Sequence, residues 1–397
     1  MIVVIADDLT GAAELGGLAL RYNLLTEITT RVHPASKADL LIIATDTRSM
    51  LKEDAERITE QVSQDLLRLR PTLIFKKTDS VLRGHVLAEI NVQKSKLNLK
   101  RALIVAGNPG LGRTIVDGVY LLDGRPVHLS SFSQDPEFPI TSSAVNKMLH
   151  AGEGEINLLK SHETMPDSGI VVGDVKDSLD LAAWCRKIDE HTLIAGAAEF
   201  FSAILKHFNI KHAPKAKDTA TLQLPALMIC GSSFQKNDGF LNKMQAEGMP
   251  VSYIPEEIVK DRPDHNEVFE RWIGETIQYL KQYGKAIIAV DPVMKGMDID
   301  ALTLRSKMAE ATALIAEQVQ INECLIEGGS TSAAVMHKLG IDTLYPIQEL
   351  APGVIRMGVK GKKDLHVTLK PGSYDWPASI LHPEMVEGTY EIECTVF

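Results

Sequence analysis

The chain has 397 residues, of which 45% are hydrophobic and 24% charged, as is usual for a globular protein. The net charge of −10, without any Lys/Arg run carrying interleaved aromatic residues, argues against nonspecific nucleic-acid binding. No stretch of about 18 consecutive apolar residues occurs, so the sequence predicts no transmembrane helix. A chain of this length favours two domains over a single core.

The cysteines and the N-terminus bear on the compartment. Cys185, Cys230, Cys324 and Cys394 show no CxxC or finger-like spacing, which predicts buried thiols rather than disulfides or zinc ligands. The chain enters a strand directly, without the basic, apolar and small-residue series of a secretory signal. We therefore expect a cytoplasmic protein.

The first seventeen residues, MIVVIADDLTGAAELGG, combine a buried strand with two acids. Ile2 to Ile5 form an apolar run typical of a parallel strand, and Thr10-Gly11 opens a helix of small residues. Asp7 and Asp8 lie between them, where ligands bind in open α/β sheets. One acid could simply cap the helix, but a cap needs only one of the two.

Three later strands of the first half are also followed by polar or glycine-rich segments. A helix over Lys52 to Leu69 is predicted between the first and second of these strands. Because parallel strands end at one edge of a sheet, four such segments predict a ligand site there. The strands and the segments that follow them are Leu40 to Ala44 with TDTRS (45–49), Thr72 to Phe75 with KKTDSVLRGH (76–85), and Ala102 to Val105 with GNPGLGRT (107–114).

The rest of the first half predicts a hairpin turn at Asp123-Gly124, then strands at Ile170 to Val172 and Thr192 to Ala195. The polar stretch KHAPKAKDTAT lacks apolar periodicity and reads as a linker. We expect a first domain over residues 1–210, a linker over 211–223 and a second domain over 224–397.

The second half again alternates apolar strands with amphipathic helices. The predicted strands and helices are Leu224 to Cys230, Val251 to Ile254, Ala286 to Val290, Cys324 to Ile326 and Asp364 to Leu369, with helices over Asn266 to Gln282, Asp300 to Gln320 and Ala333 to Leu339. The predicted fold class is α/β, with two domains, each a mainly parallel sheet flanked by helices, and the active site in the cleft between them.

Three turns of the second half combine glycine with hydroxyl side chains. They are Gly231-Ser232-Ser233, Glu327-Gly328-Gly329-Ser330-Thr331 and Lys370-Pro371-Gly372-Ser373. Such turns before helices can bind phosphate through free N–H groups, although a Gly-Gly turn is often only structural. Neither a Walker A sequence nor GxGxxG is present, yet three such turns favour a nucleotide pocket.

The first half offers charges that suit an anionic polyol. Arg48, Lys76, Lys77 and Arg83 could hold an anion, and the acids Asp7, Asp8 and Asp79 could accept hydroxyl protons. The structural alternative for KKTDSVLRGH is a helix capped by Asp79 or Ser80, with its lysines in solvent. An anionic polyol site opposite a phosphate site is the layout of a small-molecule kinase.

The motifs ADDLTGA, KKTDSVLRG, GRT, GGSTSAAV, APGV and KPGS occur in the same order as in the four-carbon acid sugar kinases, and the chain resembles that family over nearly its whole length. The resemblance implies that the N-terminal domain binds the sugar acid and the C-terminal domain binds ATP. It also implies Mg²⁺ and phosphorylation of the terminal hydroxyl of the acid.

The site residues that we expect follow from these matched motifs. Asp8 would orient or deprotonate the attacking hydroxyl, Asp7 could shape the turn, and no metal ligands are predicted. The expected substrate-binding residues are Asp7, Asp8, Arg48, Lys77, Thr78, Asp79, Ser80, Arg83 and Arg113. The expected nucleotide-binding residues are Ser232, Ser233, Gly328, Gly329, Ser330, Thr331, Gly353 and Gly372.

The form KKxDSxLRG resembles the D-threonate and D-erythronate kinases more than the 3-oxotetronate kinases. D-Threonate is therefore the expected substrate, with D-erythronate close behind and 3-oxotetronate as a further alternative. Glu14, His85 and Ser330 depart from the family pattern. The rival interpretations are an NAD-linked sugar-acid oxidoreductase and a non-catalytic sugar-acid sensor. We expect the protein to bind small molecules, namely the sugar acid and ATP, and to bind neither nucleic acid nor membranes. The sequence leaves open whether the protein forms a homodimer.

Overall fold

The computed structural model describes residues 1–135, 137–210, 222–231, 236–260, 265–294, 300–377 and 380. The N-terminal half contains strands β1 (Ile2–Ala6), β2 (Thr26–Thr29), β3 (Leu40–Ala44), β4 (Leu73–Lys77), β5 (Arg101–Val105), β6 (Arg113–Val116), β7 (Val119–Leu122), β8 (Arg125–Pro126), β9 (Ile156–Leu159), β10 (Gly169–Gly173) and β11 (Thr192–Gly196). The C-terminal half contains β12 (Ala226–Cys230), β13 (Val251–Ile254), β14 (Lys285–Val290), β15 (Glu323–Glu327), β16 (Thr343–Ala351), β17 (Val354–Val359) and β18 (Lys362–Lys370).

Helices cover both faces of the sheet, which explains why β1 is apolar on both of its sides. Val4 and Ala6 belong to one buried cluster, and Val3 and Ile5 to another. The helices are α1 (Leu9–Leu20), α2 (Lys52–Leu69), α3 (Val86–Lys96), α4 (Val145–Met148), α5 (Ser178–Cys185), α6 (Ala198–His207), α7 (Lys236–Ala246), α8 (Glu256–Val259), α9 (His265–Tyr283), α10 (Ala301–Gln318) and α11 (Gly329–Lys338).

The strands of the N-terminal half that join the large sheet are all parallel, in the order β2-β3-β1-β4-β11-β5-β10-β9. Their registers align the strand ends, since Ala6 is opposite Ala44 and Lys77, and Gly196 is opposite Lys77 and Val105. The prediction that the four polar segments leave one edge of the sheet is confirmed. A separate three-stranded sheet, β6-β7-β8, follows β5 and contains the predicted hairpin.

In the C-terminal half, β13-β14-β12-β15-β18 are parallel, and β17 and β16 continue the sheet antiparallel. Glu327 is opposite both Cys230 and Lys370, so the three glycine/hydroxyl turns also begin at one edge. The predicted α/β class with a mostly parallel sheet flanked by helices is confirmed.

The two halves form one continuous sheet of fifteen strands, which the sequence does not predict. β16 pairs antiparallel with β2, with Thr343 opposite Thr29 and Leu344 opposite Ile28. Helix α1 also packs on β16 and β17. The packing is so close that a Cβ added at Gly17 would overlap Cδ1 of Ile355 in β17. Strand pairing and the packing of α1 therefore join the two halves.

Several sequence expectations differ from the structure or fall outside it. β4 extends through Lys76 and Lys77, which are 1% and 3% exposed, so the alternative with both lysines in solvent is wrong. The next helix, α3, begins only at Val86, and neither Asp79 nor Ser80 caps it. Most of the predicted linker, residues 211–221, lies outside the described residues.

Two further expectations can be compared with the described residues. Cys185, Cys230 and Cys324 are buried free thiols, as predicted, whereas Cys394 is not described. Within the described ranges, no helix has both the length and the apolar character needed to cross a bilayer.

Candidate functional site

Asp8 is the N-cap of α1. Its Oδ1 accepts a hydrogen bond from the Gly11 N–H at 3.0 Å, and its Oδ2 accepts one from Thr10 Oγ1 at 2.5 Å. We expected that Asp7 could shape this turn, but the residue that caps the helix is Asp8. The capping role of Asp8 does not remove it from the site, because its carboxylate also faces Arg48 and the C-terminal half.

Arg48, in the segment after β3, binds the acids at the ends of neighbouring strands. It donates to Asp7 from Nε and Nη2, both at 2.8 Å, and from Nη2 to Asp8 Oδ1 at 2.7 Å. Its Nη1 lies 3.5 Å from Asp79 Oδ1. Burial alone would raise the pKa of Asp7, but the attraction of Arg48 outweighs it and lowers that pKa. Arg48 therefore links the three acids, and its charge keeps Asp7 ionised.

Arg83 makes the second ion pair of this cluster. It donates to both oxygens of Asp79, at 2.8 and 2.9 Å, and to Asp135 Oδ2 at 2.7 Å. Burial would raise the pKa of Asp79, yet Arg83 and Arg48 bring it well below its ordinary value. Asp79 thus serves to orient two arginines, which makes it an unsuitable proton acceptor near neutral pH.

The adjacent lysines of β4 point to opposite faces of the sheet, as successive strand residues do. Lys77 lies on the α1 side, with Nζ 3.4 Å from Glu14 Oε2 and 3.0 Å from the Thr78 carbonyl oxygen. Lys76 forms a buried ion pair with Glu89 of α3 on the other side. Of the two lysines, only Lys77 therefore joins the cluster beside Asp8.

Thr78, Ser80 and Arg113 extend the cluster away from Asp8. Thr78 is buried and donates its backbone N–H to the Gly196 carbonyl. Ser80 Oγ accepts a hydrogen bond from Arg113 Nη1, and Arg113 comes from β6 of the small sheet. The structure thus brings together all the expected substrate-binding residues.

On the C-terminal side, the turn Gly328-Gly329 leads from β15 into α11. Gly328, at φ 93°, is the N-cap and occupies a backbone conformation that a side chain would disfavour. Ser330 Oγ lies 3.4 Å from Ser49 Oγ of the other half. A Cβ at Gly231 would meet Thr331 Oγ1 at 2.5 Å, so the turns after β12 and β15 are in contact.

The remaining expected nucleotide residues are more dispersed. Gly353 packs against the ring of Tyr374, where an added Cβ would lie 2.5 Å from Cε2, and Gly372 lies in the turn after β18. Ser232 and Ser233 lie outside the described residues. The structure therefore brings Gly328 to Thr331 together next to Asp8 and places Gly353 beside the last turn.

A buried ion pair lies beneath two of these turns. Lys370 Nζ and Glu327 Oε2 are 3.3 Å apart, and both side chains are fully buried at the ends of β18 and β15. Trp376 Nε1 donates to the same Glu327 oxygen at 3.2 Å. Burial lowers the pKa of Lys370, and Glu327 opposes this effect. The pair therefore holds the two turns in a fixed relation.

The two halves meet at Asp8. A Cβ added at Gly329 would overlap Asp8 Oδ2, so the capping carboxylate of α1 lies against the first residue of α11. Tyr374 OH lies 3.4 Å from Glu14 Oε1. Because a helix N-terminus carries positive partial charge, two such termini converge where a phosphoryl group could be stabilised.

Sequence reasoning missed Asp46, which follows β3 within TDTRS. Its pKa is raised to about 7, first by burial and then by the nearby charge of Asp8. In the sequence, Asp46 is marked only by its position directly after β3, at the edge of the sheet where the site was predicted. Thr45, Arg48 and Ser49 share that position, so it does not single out Asp46. Only the folded structure shows that Asp46 lies near enough to Asp8 for the charge of Asp8 to raise its pKa.

Two family models match the chain, one after the other. Residues 2–204 match the sugar-binding N-terminal domain, and residues 227–374 match the nucleotide-binding C-terminal domain. The division agrees with the geometry, since the charged cluster and the glycine turns lie in different halves. The resemblance inferred from the motifs is confirmed.

Full-length relatives carry kinase names. A D-threonate kinase from Salmonella typhimurium is 25% identical over 389 residues, covering 88% of this chain and 89% of the relative. A D-erythronate kinase from Heliobacterium modesticaldum is 24% identical, with 88% of each chain covered. A 3-oxo-tetronate kinase from Cupriavidus necator is 22% identical, with 94% of each covered.

Solved structures show the same fold. A Salmonella typhimurium protein superposes with a TM-score of 0.72 at 18% identity, covering 94% of this chain and 96% of that one. A Haemophilus influenzae protein gives 0.67 at 19% identity, with 94% and 97% covered. Since both family models match in order and the full-length relatives are kinases, the chain belongs to the four-carbon acid sugar kinase family and is a small-molecule kinase.

Proposed function

We propose that the protein transfers the terminal phosphoryl group of ATP to the 4-hydroxyl of a four-carbon sugar acid, with D-threonate as the preferred acceptor. The observation that carries the proposal is the contact between Asp8 and Gly329, which joins the charged cluster to the glycine turn. D-Erythronate and 3-oxotetronate are the alternative acceptors. The substrate names of the relatives support the class of acceptor, and the KKxDSxLRG motif favours D-threonate and D-erythronate over 3-oxotetronate.

Asp8 orients or deprotonates the attacking hydroxyl. Its carboxylate is held by the hydrogen bonds from Thr10 and Gly11 and by Arg48, so it is already aligned when the acceptor binds. The N–H groups at the start of α11 point toward the same place and stabilise charge on the transferred group. Catalysis is then mostly positioning and charge neutralisation, as in other phosphoryl transfers.

ATP fits the turns of the C-terminal half, because Gly328 and Gly329 leave the backbone of the α11 start accessible to phosphate. Mg²⁺ would bind together with ATP and would neutralise part of the charge of its phosphates. The described residues contain no group of three or more His, Cys, Asp or Glu suited to a metal ion. Proteins often hold Mg²⁺ through phosphates, waters and one or two carboxylates.

A coupled ADP-release assay tests the reaction and its acceptor. D-Threonate, D-erythronate, their enantiomers and 3-oxotetronate are compared, and we expect the highest kcat/KM with D-threonate. A higher value for another acid would correct the substrate, and no ATP consumption with any of them would refute the kinase proposal. Stabilisation by NAD but not by ATP or ADP would favour the oxidoreductase instead.

The role of Asp8 is tested by Asp8→Asn. Asparagine is also a good N-cap, so α1 persists while the charge is lost. We expect kcat to fall by about 100-fold or more and ADP affinity to stay nearly unchanged. Asp177→Asn, the same change at the exposed N-cap of α5, is the matched control and should leave activity intact. Near-normal turnover by Asp8→Asn would show that the assignment is wrong.

A further inference from the structure

Arg113 is a buried cation without a carboxylate partner in the part of the chain that the structure describes. The residue is only 8% exposed, and its Nε is buried with no hydrogen-bond partner among the described residues. Its one side-chain hydrogen bond there goes from Nη1 to the neutral hydroxyl of Ser80. Because a buried charge is costly unless it is paired, this guanidinium is arranged to receive an anion.

The other cations of the cluster differ from Arg113 in this respect. Arg48 is paired with Asp7 and Asp8, Arg83 with Asp79 and Asp135, and Lys77 with Glu14. Their charges are already compensated by the protein itself. Of the four, Arg113 is the one whose charge stays available to a ligand.

The surroundings of Arg113 suit a flat anion. The guanidinium carbon lies 5.4 Å from the ring centroid of Phe132 and 6.0 Å from that of Tyr374. These rings belong to different halves of the molecule. A planar guanidinium beside aromatic rings favours bidentate binding of a planar carboxylate.

We propose that Arg113, with Phe132 and Tyr374 beside it, forms the subsite that binds the carboxylate of the sugar acid. The inference rests on the proposed function and adds the direction in which the acceptor binds. A series of contacts connects Arg113 with Asp8. Arg113 donates a hydrogen bond to Ser80, and the preceding residue in sequence, Asp79, has its Oδ1 3.5 Å from Arg48 Nη1. Arg48 in turn donates a hydrogen bond to Asp8. The acceptor thus lies with its carboxylate at Arg113 and its terminal hydroxyl at Asp8.

The test compares two acceptors that differ at the carboxylate. D-Threonate and threitol, in which a hydroxymethyl group replaces the carboxylate, are assayed with wild type, Arg113→Gln and Arg125→Gln. Arg125 is an exposed arginine on the same small sheet and serves as the matched control. We expect Arg113→Gln to lower kcat/KM for D-threonate by about 10-fold to 100-fold, mainly through KM. The slow rate with threitol should change less than about twofold, and Arg125→Gln should behave as wild type.

Other outcomes overturn the inference. An equal loss with both acceptors, or a loss of ADP affinity, would place Arg113 at the phosphates or in the fold, and no loss would exclude it from the site. If Arg113→Gln does not fold, Arg113→Lys decides, because it keeps the charge but loses the planar fork. An intermediate loss confined to D-threonate then supports the subsite.

A binding measurement separates this inference from the proposed function. Calorimetry with D-threonate in the absence of nucleotide requires no turnover. We expect wild type and Arg125→Gln to bind D-threonate, and Arg113→Gln to bind it at least about tenfold more weakly. A wild-type protein that binds the acid through Arg113 but consumes no ATP would refute the kinase proposal and keep the subsite. Unchanged binding by Arg113→Gln would refute the subsite alone.

Discussion

Asp46 combines a left-handed backbone with a half-buried side chain. Its φ is 52°, and the described residues give its side chain no hydrogen bond. Burial is the largest cause that raises its pKa to about 7, Asp8 and Asp7 raise it further, and Arg305 and Arg48 oppose them. Arg305 comes from α10 of the C-terminal half, so the charge state of Asp46 depends on both halves.

The raised pKa predicts a pH-dependent stability. An unfolded aspartate has a pKa of 3.8, so between about pH 4 and 7 folded Asp46 keeps a proton that the unfolded chain releases. The contribution of Asp46 to stability therefore falls as the pH rises through this window. Asp46→Asn removes that cost, and asparagine tolerates positive φ. At pH 8 we expect the free energy of unfolding to rise by up to about 4 kcal/mol, and near pH 4 the gain should vanish, as measured by urea denaturation.

Asp117 provides a control with the opposite sign. It also has a left-handed φ, 51°, but it is exposed, and its hydrogen bond with Lys160 lowers its pKa. Asp117→Asn should therefore give a small loss of stability at pH 8. A gain by Asp46→Asn that is equal at both pH values would point to the backbone and contradict the charge argument.

The sequence identified the acids of the site but not their roles. Asp7 and Asp8 stand out because they follow an apolar strand, which is a local signal. The partner that distinguishes them, Arg48, is 40 positions from Asp8 and meets it only when β3 pairs with β1. For the same reason the structural alternative for Lys76 and Lys77 failed, since their carboxylate partners come from α3 and α1.

At the scale of elements, α1 is shaped by what packs against it. The sequence shows a helix of small residues, and the structure gives the reason. A Cβ at Gly16 would meet Pro346 Cγ at 2.7 Å and Ile28 Cδ1 at 2.8 Å, and one at Gly17 would overlap Ile355. Glycine usually weakens a helix, so its use here reflects the close approach of α1 to β16 and β17.

Gly17→Ala tests this packing. Ile355 is fully buried, and an added Cβ would overlap its Cδ1 and lie 2.9 Å from its Cγ1. We therefore expect a net loss of about 1–2 kcal/mol in the free energy of unfolding despite the better helix propensity of alanine. Ile355→Val in the same chain removes the Cδ1 atom and should recover part of the loss. Urea denaturation measures all variants.

Gly274→Ala is the control for helix propensity. Gly274 lies inside α9 with nothing within 4 Å of an added Cβ, so we expect a gain of about 0.5–1 kcal/mol. Equal gains at Gly17 and Gly274 would show that α1 is not tightly packed on the C-terminal half.

The strands that the sequence missed include the two that join the halves, β2 and β16. β2, with the sequence TEIT, is short and half polar, and β16 contains Pro346 next to a shift in register. Neither shows the apolar run that identified β1 or β3. The long helices α2 and α9 were found to within about a residue because their apolar periodicity is sustained.

At the scale of the whole molecule, the continuous sheet couples two domains that the sequence treats as separate. The β2–β16 pairing, the packing of α1, and the ion pair between Arg21 and Glu349 at 2.6 Å all cross between the halves. Separating the halves would expose a strand edge and the glycine face of α1, which is unfavourable in water. We therefore expect the halves to unfold together.

The three tryptophans can report this cooperativity without changing the core, since Trp184 lies in the N-terminal half and Trp272 and Trp376 in the C-terminal half. In protein labelled with 5-fluorotryptophan, the three ¹⁹F signals should disappear at the same urea concentration, because coincident probes mark a two-state transition. ADP, which we propose binds to the C-terminal half, should raise the midpoint of Trp184 as much as those of the others, by linkage. If the Trp184 signal had a different midpoint and ADP did not change it, the two halves would unfold independently although they share one sheet.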